Sequence, residues 1–438
     1  MTGFLNRLVE AVLQCDVADG NTRWLATRAI ADTVCVAAPG FLEPVTRNAL
    51  AAYGGGAAAS WSGEGCESLE AAVMINAIAA HALDFDDVYL ESLAHASAVI
   101  VPAIAGFMTE GHESGDMIAA FCAGMIAGHA MGRRLGQGHY NKGWHGTGTV
   151  GAFAATAAVG RLMKITPDQM KSAFALCGSM SGGLRINFGT QAKPVHAGFA
   201  AVAGLRAVRL ARAGVTGATD VFGRNGFIDL YGGSDGVDMP EDAAFIAHPG
   251  DVSVKLYPCC YAAHRLIGVA LDARDRLGAD FARREDVRLA VTVPAGSVEV
   301  LKYDRPTTAL EAKFSGPFNV AVAMLDGVPT LQSYSAETVR RSDIASVMQR
   351  LTIVEDAGQP SGGDIEFGKV VLEIDGGATE RFERVAIPGS PDDPPAPEAL
   401  RQKLRGCLRD FEQQASRPFP GIAYLRWLGA DEWIAGFA

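Results

Sequence analysis

Apolar residues recur at helical spacing through roughly the first 245 positions, and after residue 250 the pattern turns to strand-like alternation. Leu5, Leu8, Val9 and Val12 mark a first amphipathic helix, and a second is predicted over Thr22 to Val36. Gly54-Gly55-Gly56 marks a loop. Further helices are predicted over 68–83, 97–109, 115–134, 147–163, 167–180 and 195–213. Many of their residues are Ala or Gly, and such small side chains let helix backbones approach closely, which predicts a dense bundle. Arg206, Arg209 and Arg212 recur at i+3 steps before Gly214, as on a solvated helix face with a glycine stop.

In the later part Val287, Leu289, Val291 and Val293 alternate strictly, as in a half-buried strand. Leu351–Val354, Lys369–Ile374 and Glu380–Val385 are further strand candidates, with Gly376-Gly377 as a hairpin turn between the last two. Helices are predicted over 262–277, 312–326 and 335–350, giving an α+β region with an antiparallel sheet. Prolines 388, 391, 394, 395 and 397 make a stiff linker. A last helix, about 398–414, is expected to return to the helical part. The fold class is mainly α: a multihelical domain from 1–248 and 396–438, and a smaller α+β domain from 249–395.

A chain of 438 residues exceeds one ordinary core, in keeping with two domains. Its charge of −11 argues against general nucleic-acid binding, which needs a basic surface, yet leaves room for a local cationic pocket. Eight scattered cysteines form no CxxC pair, no apolar run has the length of a membrane span, and the N-terminus lacks a signal-peptide pattern. A cytoplasmic protein without nucleic-acid or membrane partners is the expectation.

Four polar clusters interrupt this apolar sequence. The first joins His81, Asp84, Asp86 and Asp87 to His95, between two runs that should be buried. Charge at such an edge is costly unless paired or used. If the preceding helix continued, His81, Asp84 and Val88 would share one face. A solvated helix end, a proton-transfer site and a metal site all fit these residue types, although HExxH and EF-hand spacing are absent. The second cluster, His139 to Thr149, holds His145 before a small-residue helix. The third, Asn187 to Gly198, holds Lys193 and His196 at another helix start. The fourth, Lys255 to His264, includes the vicinal Cys259 and Cys260, which read more simply as buried thiols than as a redox pair. No usable phosphate loop, nucleotide fingerprint or GxSxG elbow occurs. Cofactor-free and metal-free proton transfer on an anionic substrate is the chemistry these residues suggest.

His81–Asp87, His95–Pro102, Gly143–Gly151, Thr190–Gly198, Lys255–His264 and Glu311–Gly327 together resemble the MmgE/PrpD family, in family order and over most of the chain. That family includes 2-methylcitrate dehydratase, cis-aconitate decarboxylase and iminodisuccinate epimerase. The resemblance implies an all-helical domain, a smaller lid resembling a chorismate mutase fold, a homodimer and an active site between the domains. It places Asp84, His95, His145, Lys193 and Lys255 in the site, with Tyr303 as a weaker candidate. Ala96 and Gly146 stand where the family usually has proline, and Val88 where several members have threonine, changing loop stiffness and one hydroxyl near the proposed base.

In the mechanism this implies, Lys193, Lys255 and His196 hold the carboxylates of a small di- or tricarboxylate. Asp84 or His95 removes a proton beside a carboxylate, and His145 acts as acid. A dehydratase like that acting on 2-methylcitrate is the first expectation, with an epimerase close behind and a decarboxylase third. A non-catalytic organic-acid binder would keep the lysines without needing Asp84, and a metal-dependent lyase is a further rival.

Overall fold

The structure, a computed structural model, describes residues 2–17, 19–90, 93–107, 111–232, 248–359 and 368–437. The predicted helix end at 108–109 lies outside them. The chain divides into one compact unit of Met1–Ser253 with Ala396–Ala438 and a second of Val254–Pro395.

The first unit opens with α1 (Thr2–Gln14), α2 (Gly20–Gly40) and α3 (Pro44–Tyr53). Asp19 caps α2 by accepting the Thr22 N–H. The triple glycine is a strand rather than a loop: β1 (Gly54–Ala59) pairs antiparallel with β2 (Gly65–Cys66). A Cβ on Gly56 would lie 2.2 Å from the Cys66 carbonyl oxygen, so glycine is needed for the approach of the two backbones. Ser68 caps α4 (Leu69–His81), which is buried from Ala71 to its end. Then follow α5 (Ala96–Ala105), α6 (Ser114–Asn141), α7 (Gly146–Leu162), α8 (Pro167–Gly178), α9 (Ala192–Arg212) and the short α10 (Phe227–Tyr231). α7 is the core of the bundle: every residue except Arg161 is buried, and α5, α6, α8 and α9 all pack on it. Its alanines and glycines permit this, since a Cβ on Gly204 of α9 would press within 2.6 Å of Ala155.

The second unit begins with α11 (His264–Leu277), followed by β3 (Arg288–Pro294), α12 (Ser297–Val300), α13 (Ala309–Ala312), α14 (Gly316–Asp326), α15 (Ala336–Val339) and α16 (Ser342–Gln349). β4 (Leu351–Asp356), β5 (Val370–Asp375) and β6 (Thr379–Arg384) complete a sheet of order β4-β3-β5-β6. The sheet is mixed, not antiparallel: β3 and β4 run parallel, whereas β3–β5 and β5–β6 are antiparallel. Alternation specifies which side chains are buried but not strand direction, and the helical connection from β3 to β4 is long enough for a parallel crossover. Arg384 of β6 grips Asp272 of α11 at 3.0 Å, tying helix to sheet.

The chain then returns to the first unit with α17 (Pro397–Ala415), α18 (Ile422–Leu428) and α19 (Asp431–Ile434). Leu400, Leu404, Cys407, Leu408 and Phe411 form the buried stripe of α17. From this helix Lys403 reaches Asp32 of α2 at 2.6 Å, with both side chains almost fully buried. Its ammonium also donates to the Phe85 carbonyl at 2.8 Å and lies 4.2 Å from the Phe85 ring. Among the described residues no single helix is long and apolar enough to cross a membrane.

Removing one partner of a buried pair leaves a charge without compensation. Lys403→Met should therefore lower the unfolding free energy by about 3 kcal/mol, and adding Asp32→Asn should recover part of it. Urea denaturation of the three variants measures both effects.

Candidate active site

α4 ends at His81, so the helical face expected to join His81, Asp84 and Val88 does not form. Asp84 adopts φ 54°, a left-handed turn that Asp tolerates better than most residues. Val88 then exchanges two 2.9 Å backbone bonds with Ser253, and Tyr89 pairs with Ala94, folding the chain back toward His95. The His95 N–H donates to Thr147 Oγ1 on α7 at 3.1 Å. These bonds fix the chain that follows the acidic loop, and Asp84, Asp86 and Asp87 are all buried.

Asp86 sits between two imidazoles. One oxygen, Oδ2, lies 2.9 Å from His81 Nδ1 and 3.2 Å from His95 Nδ1. Burial alone would raise the Asp86 pKa, but His81 and His95 together hold it well below the usual carboxylate range. An ionised Asp86 only accepts hydrogen bonds, so His81 Nδ1 carries hydrogen, and His95 Nδ1 faces the same carboxylate. His95 Nε2 is 3.9 Å from Asp84 Oδ1, and Asp84 Oδ2 is 2.8 Å from Lys193 Nζ. One atom from each of His81, Asp86 and His95 lies within 4.8 Å of the others, a donor set that also suits a divalent ion. His81 Nδ1 is hydrogen-bonded to Asp86, and His95 Nδ1 meets the same carboxylate at ion-pair distance.

Asp87 takes no part in this pairing. It accepts from Ser97 Oγ at 2.6 Å, and burial pushes its carboxyl up to about 8, with Asp32 and Asp86 adding to the rise and the Ser97 bond and Lys403 opposing it. Two adjacent aspartates of one loop thus differ in charge at neutral pH: Asp86 is ionised, Asp87 protonated.

The opposite wall comes from the starts of α7 and α9. His145 precedes α7, and its N–H is held by the Gly183 carbonyl at 3.0 Å. Lys193 and His196 lie three apart in α9 and so project from one face. His145 Nδ1 is 2.9 Å from His196 Nδ1. The His145 ring meets Phe188 edge-on, and Lys193 Nζ stands 5.2 Å from the same ring. The His81 and His145 rings are 5.8 Å apart, which joins the two walls into one cluster. Burial first, then the nearby His81 and Lys193, lower His196 to about 4. Burial, followed by His81, Lys193, His196 and His95, holds His145 well below its usual value. Both rings are uncharged at neutral pH.

Asp84, His95, His145, Lys193 and His196 therefore converge within the first unit. Lys255 and Tyr303 belong to the second, where Lys255 is buried and Tyr303 half-buried. His81 and Asp86 stand at the centre of the cluster, although sequence reading gave neither a separate role. Their i, i+5 spacing matches no helix face, and only the turn at Asp84 brings them together. Cys259 and Cys260 are buried free thiols.

Residues 7–240 match the model of the MmgE/PrpD N-terminal domain, and residues 257–418 match that of the MmgE/PrpD C-terminal domain. Similar proteins include cis-aconitate decarboxylase of Mus musculus, 24% identical over 347 residues, spanning 76% of this chain and 70% of the relative. The cis-aconitate decarboxylase of Aspergillus terreus is 26% identical over 343 residues, 72% of this chain and 70% of that protein. The Homo sapiens enzyme of the same name is 23% identical over 346 residues, 76% and 71% of the two chains.

Asp87 offers a test of the loop's electrostatics. Its folded pKa lies above the unfolded value, so the stability it contributes is present below about pH 4 and lost as pH rises toward 8. Asp87→Asn keeps an acceptor for Ser97 and removes this loss. The variant should exceed the parent in stability by more than about 1 kcal/mol at pH 7, with the difference shrinking toward pH 4. Urea unfolding across this pH range gives the comparison.

Proposed function

The chain belongs to the MmgE/PrpD family, and from that membership we propose that it is a cofactor-independent lyase acting beside a carboxylate of a small di- or tricarboxylate. One observation carries this reading: a buried cluster combines a lysine held by Asp84, an ionised Asp86 shared by two imidazoles, and an uncharged His145–His196 pair. A carbanion next to a carboxylate is accessible only if cations or donors stand where negative charge grows. Lys193 can exchange Asp84 for a substrate carboxylate, and the freed Asp84 then faces His95. His145, with Nδ1 engaged by His196, presents Nε2 as the proton carrier.

Decarboxylation of an unsaturated tricarboxylate is the first activity to test, because the similar proteins named above are cis-aconitate decarboxylases. In that reaction the carbon–carbon bond to one carboxylate breaks, carbon dioxide leaves, and the electron pair left on carbon takes a proton from His145. A site walled by Phe188 and buried helices favours loss of the charged group, since desolvation destabilises a carboxylate more than carbon dioxide. Dehydration of a hydroxy-tricarboxylate is the second reading. It is favoured by the two chemically distinct proton carriers, His95 held by ionised Asp86 and uncharged His145, which suit removal of a proton and protonation of a departing hydroxyl.

The deciding experiment follows citrate, 2-methylcitrate, cis-aconitate, malate and iminodisuccinate by NMR in heavy water. Carbon dioxide release from cis-aconitate with solvent deuterium in the product is expected. New olefin from a hydroxy acid would move the assignment to dehydration, and exchange without net loss would move it to epimerisation. No reaction and no exchange on any of the five would refute the lyase reading. Turnover should survive exhaustive treatment with a chelator; loss restored by a divalent cation would overturn the cofactor-free mechanism. His145→Asn should lower kcat by at least about 100-fold, as loss of a general acid–base group does. Lys193→Met should act mainly by raising KM.

A further inference from the structure

His196 stands between the buried cluster and water. Its Nδ1 is bonded to His145 Nδ1, and among the described residues His145 is its only hydrogen-bond partner. His196 also lines a cavity of about 750 Å³ within the first unit. Met180, Leu184 and Phe199 on the same cavity are exposed, so it opens to the surface, and Glu67, Asn187 and Arg206 give it polar walls that water can wet. Gly183 fixes this arrangement from both sides. Its carbonyl holds the His145 N–H, and a Cβ on it would press within 3.3 Å of His196 Cγ and Nδ1. At φ 149° the residue also sits where side chains are strained.

We propose that His145 and His196 form a proton relay that carries the reaction's proton between the buried cluster and water in this cavity. The relay rests on the reading of His145 as the proton carrier and gives His196 a role other than binding a carboxylate. Two bonded Nδ1 atoms can share one hydrogen, so two neutral rings have two arrangements. In one, His145 carries hydrogen on Nδ1 and offers the lone pair of Nε2 as a base, while His196 carries hydrogen on Nε2. In the other, His145 carries hydrogen on Nε2 and is an acid, while His196 donates from Nδ1 and has its Nε2 lone pair toward the cavity.

Transfer along the chain interconverts them. When a substrate C–H bond breaks, the electron pair stays on carbon and the proton goes to His145 Nε2. The His145 Nδ1 proton passes to His196 Nδ1, and the His196 Nε2 proton passes to water. Protonation of a carbanion runs the same steps in reverse, drawing one proton from water. Neither ring needs to turn over, and neither becomes charged at the end of a transfer. Burial, which keeps both rings uncharged, favours this exchange over storage of a proton on either one.

The relay is tested in the full chain labelled with 15N-histidine, using His196→Ala and His196→Gln. NMR should show solvent exchange of the His145 ring N–H slowed at least about tenfold in both variants. Turnover in weakly buffered solution should fall by a similar factor with KM little changed. Imidazole, small enough for the enlarged cavity, should restore the rate of His196→Ala in proportion to its concentration and restore His196→Gln much less. Unchanged His145 exchange, or a rise in KM alone with no response to imidazole, would overturn the relay and leave His196 as a binding residue. The exchange measurement needs no substrate. A parent protein inert toward every acid tested but with slowed His145 exchange in the variants would sink the lyase reading and leave the relay standing.

Discussion

An ionised carboxylate loses several kcal/mol of hydration when it enters an apolar bundle, and Asp86 is fully enclosed in one. Only the two imidazoles that flank it make its charge tolerable, and much of the local backbone follows from that requirement. α4 has to stop at His81 so that the chain can turn at Asp84 and bring the carboxyl back beneath the ring. The chain must then fold back through the Val88–Ser253 and Tyr89–Ala94 bridges to deliver His95 from the other side. Removing either ring would leave the charge with half its compensation.

The neighbouring carboxylates show how one loop of four residues can hold three chemical states. Asp84 is matched by a lysine, Asp86 by two histidines, and Asp87 by a hydroxyl that stabilises it too weakly to keep it charged. Lys403 reaches the Phe85 carbonyl and pairs with Asp32. Its placement supports the backbone of the loop, while the cation paired with the Asp84 side chain is Lys193. Backbone support and side-chain pairing thus fall to different ammonium groups.

Much of the helical framework was legible because its signals are local. The helical spacing of Leu5, Leu8, Val9 and Val12 and the alternation of Leu289, Val291 and Val293 act within a few residues of themselves. Three things were not legible for the same reason. The glycine strand β1 depends on the Cys66 backbone opposite it, the direction of β4 on a long crossover, and the His81–Asp86 contact on a left-handed turn at a residue that carries no glycine to announce it. Asp84, His95, His145, Lys193 and His196 stood out only as members of polar clusters in apolar sequence, and it was the resemblance to the MmgE/PrpD family that singled out the first four, together with Lys255 and Tyr303. The pairing among them, Asp86 with two rings and His145 with His196, comes from contacts between α4, α5, α7 and α9 that no spacing encodes.

Lys403 has a consequence for how the protein is made. The helical unit is interrupted by the whole second unit, and the residue that lies under the acidic loop belongs to the segment that returns afterwards. As the ribosome extends the chain, α2 and the Asp84–Asp87 loop emerge more than 300 residues before that lysine. Asp32 must wait through the synthesis of β3–β6 before its counter-ion arrives. The support of the acidic loop is thus among the last features to mature, and a nascent chain stalled inside the second unit would hold every acid and base of the cluster yet lack the cation beneath that loop.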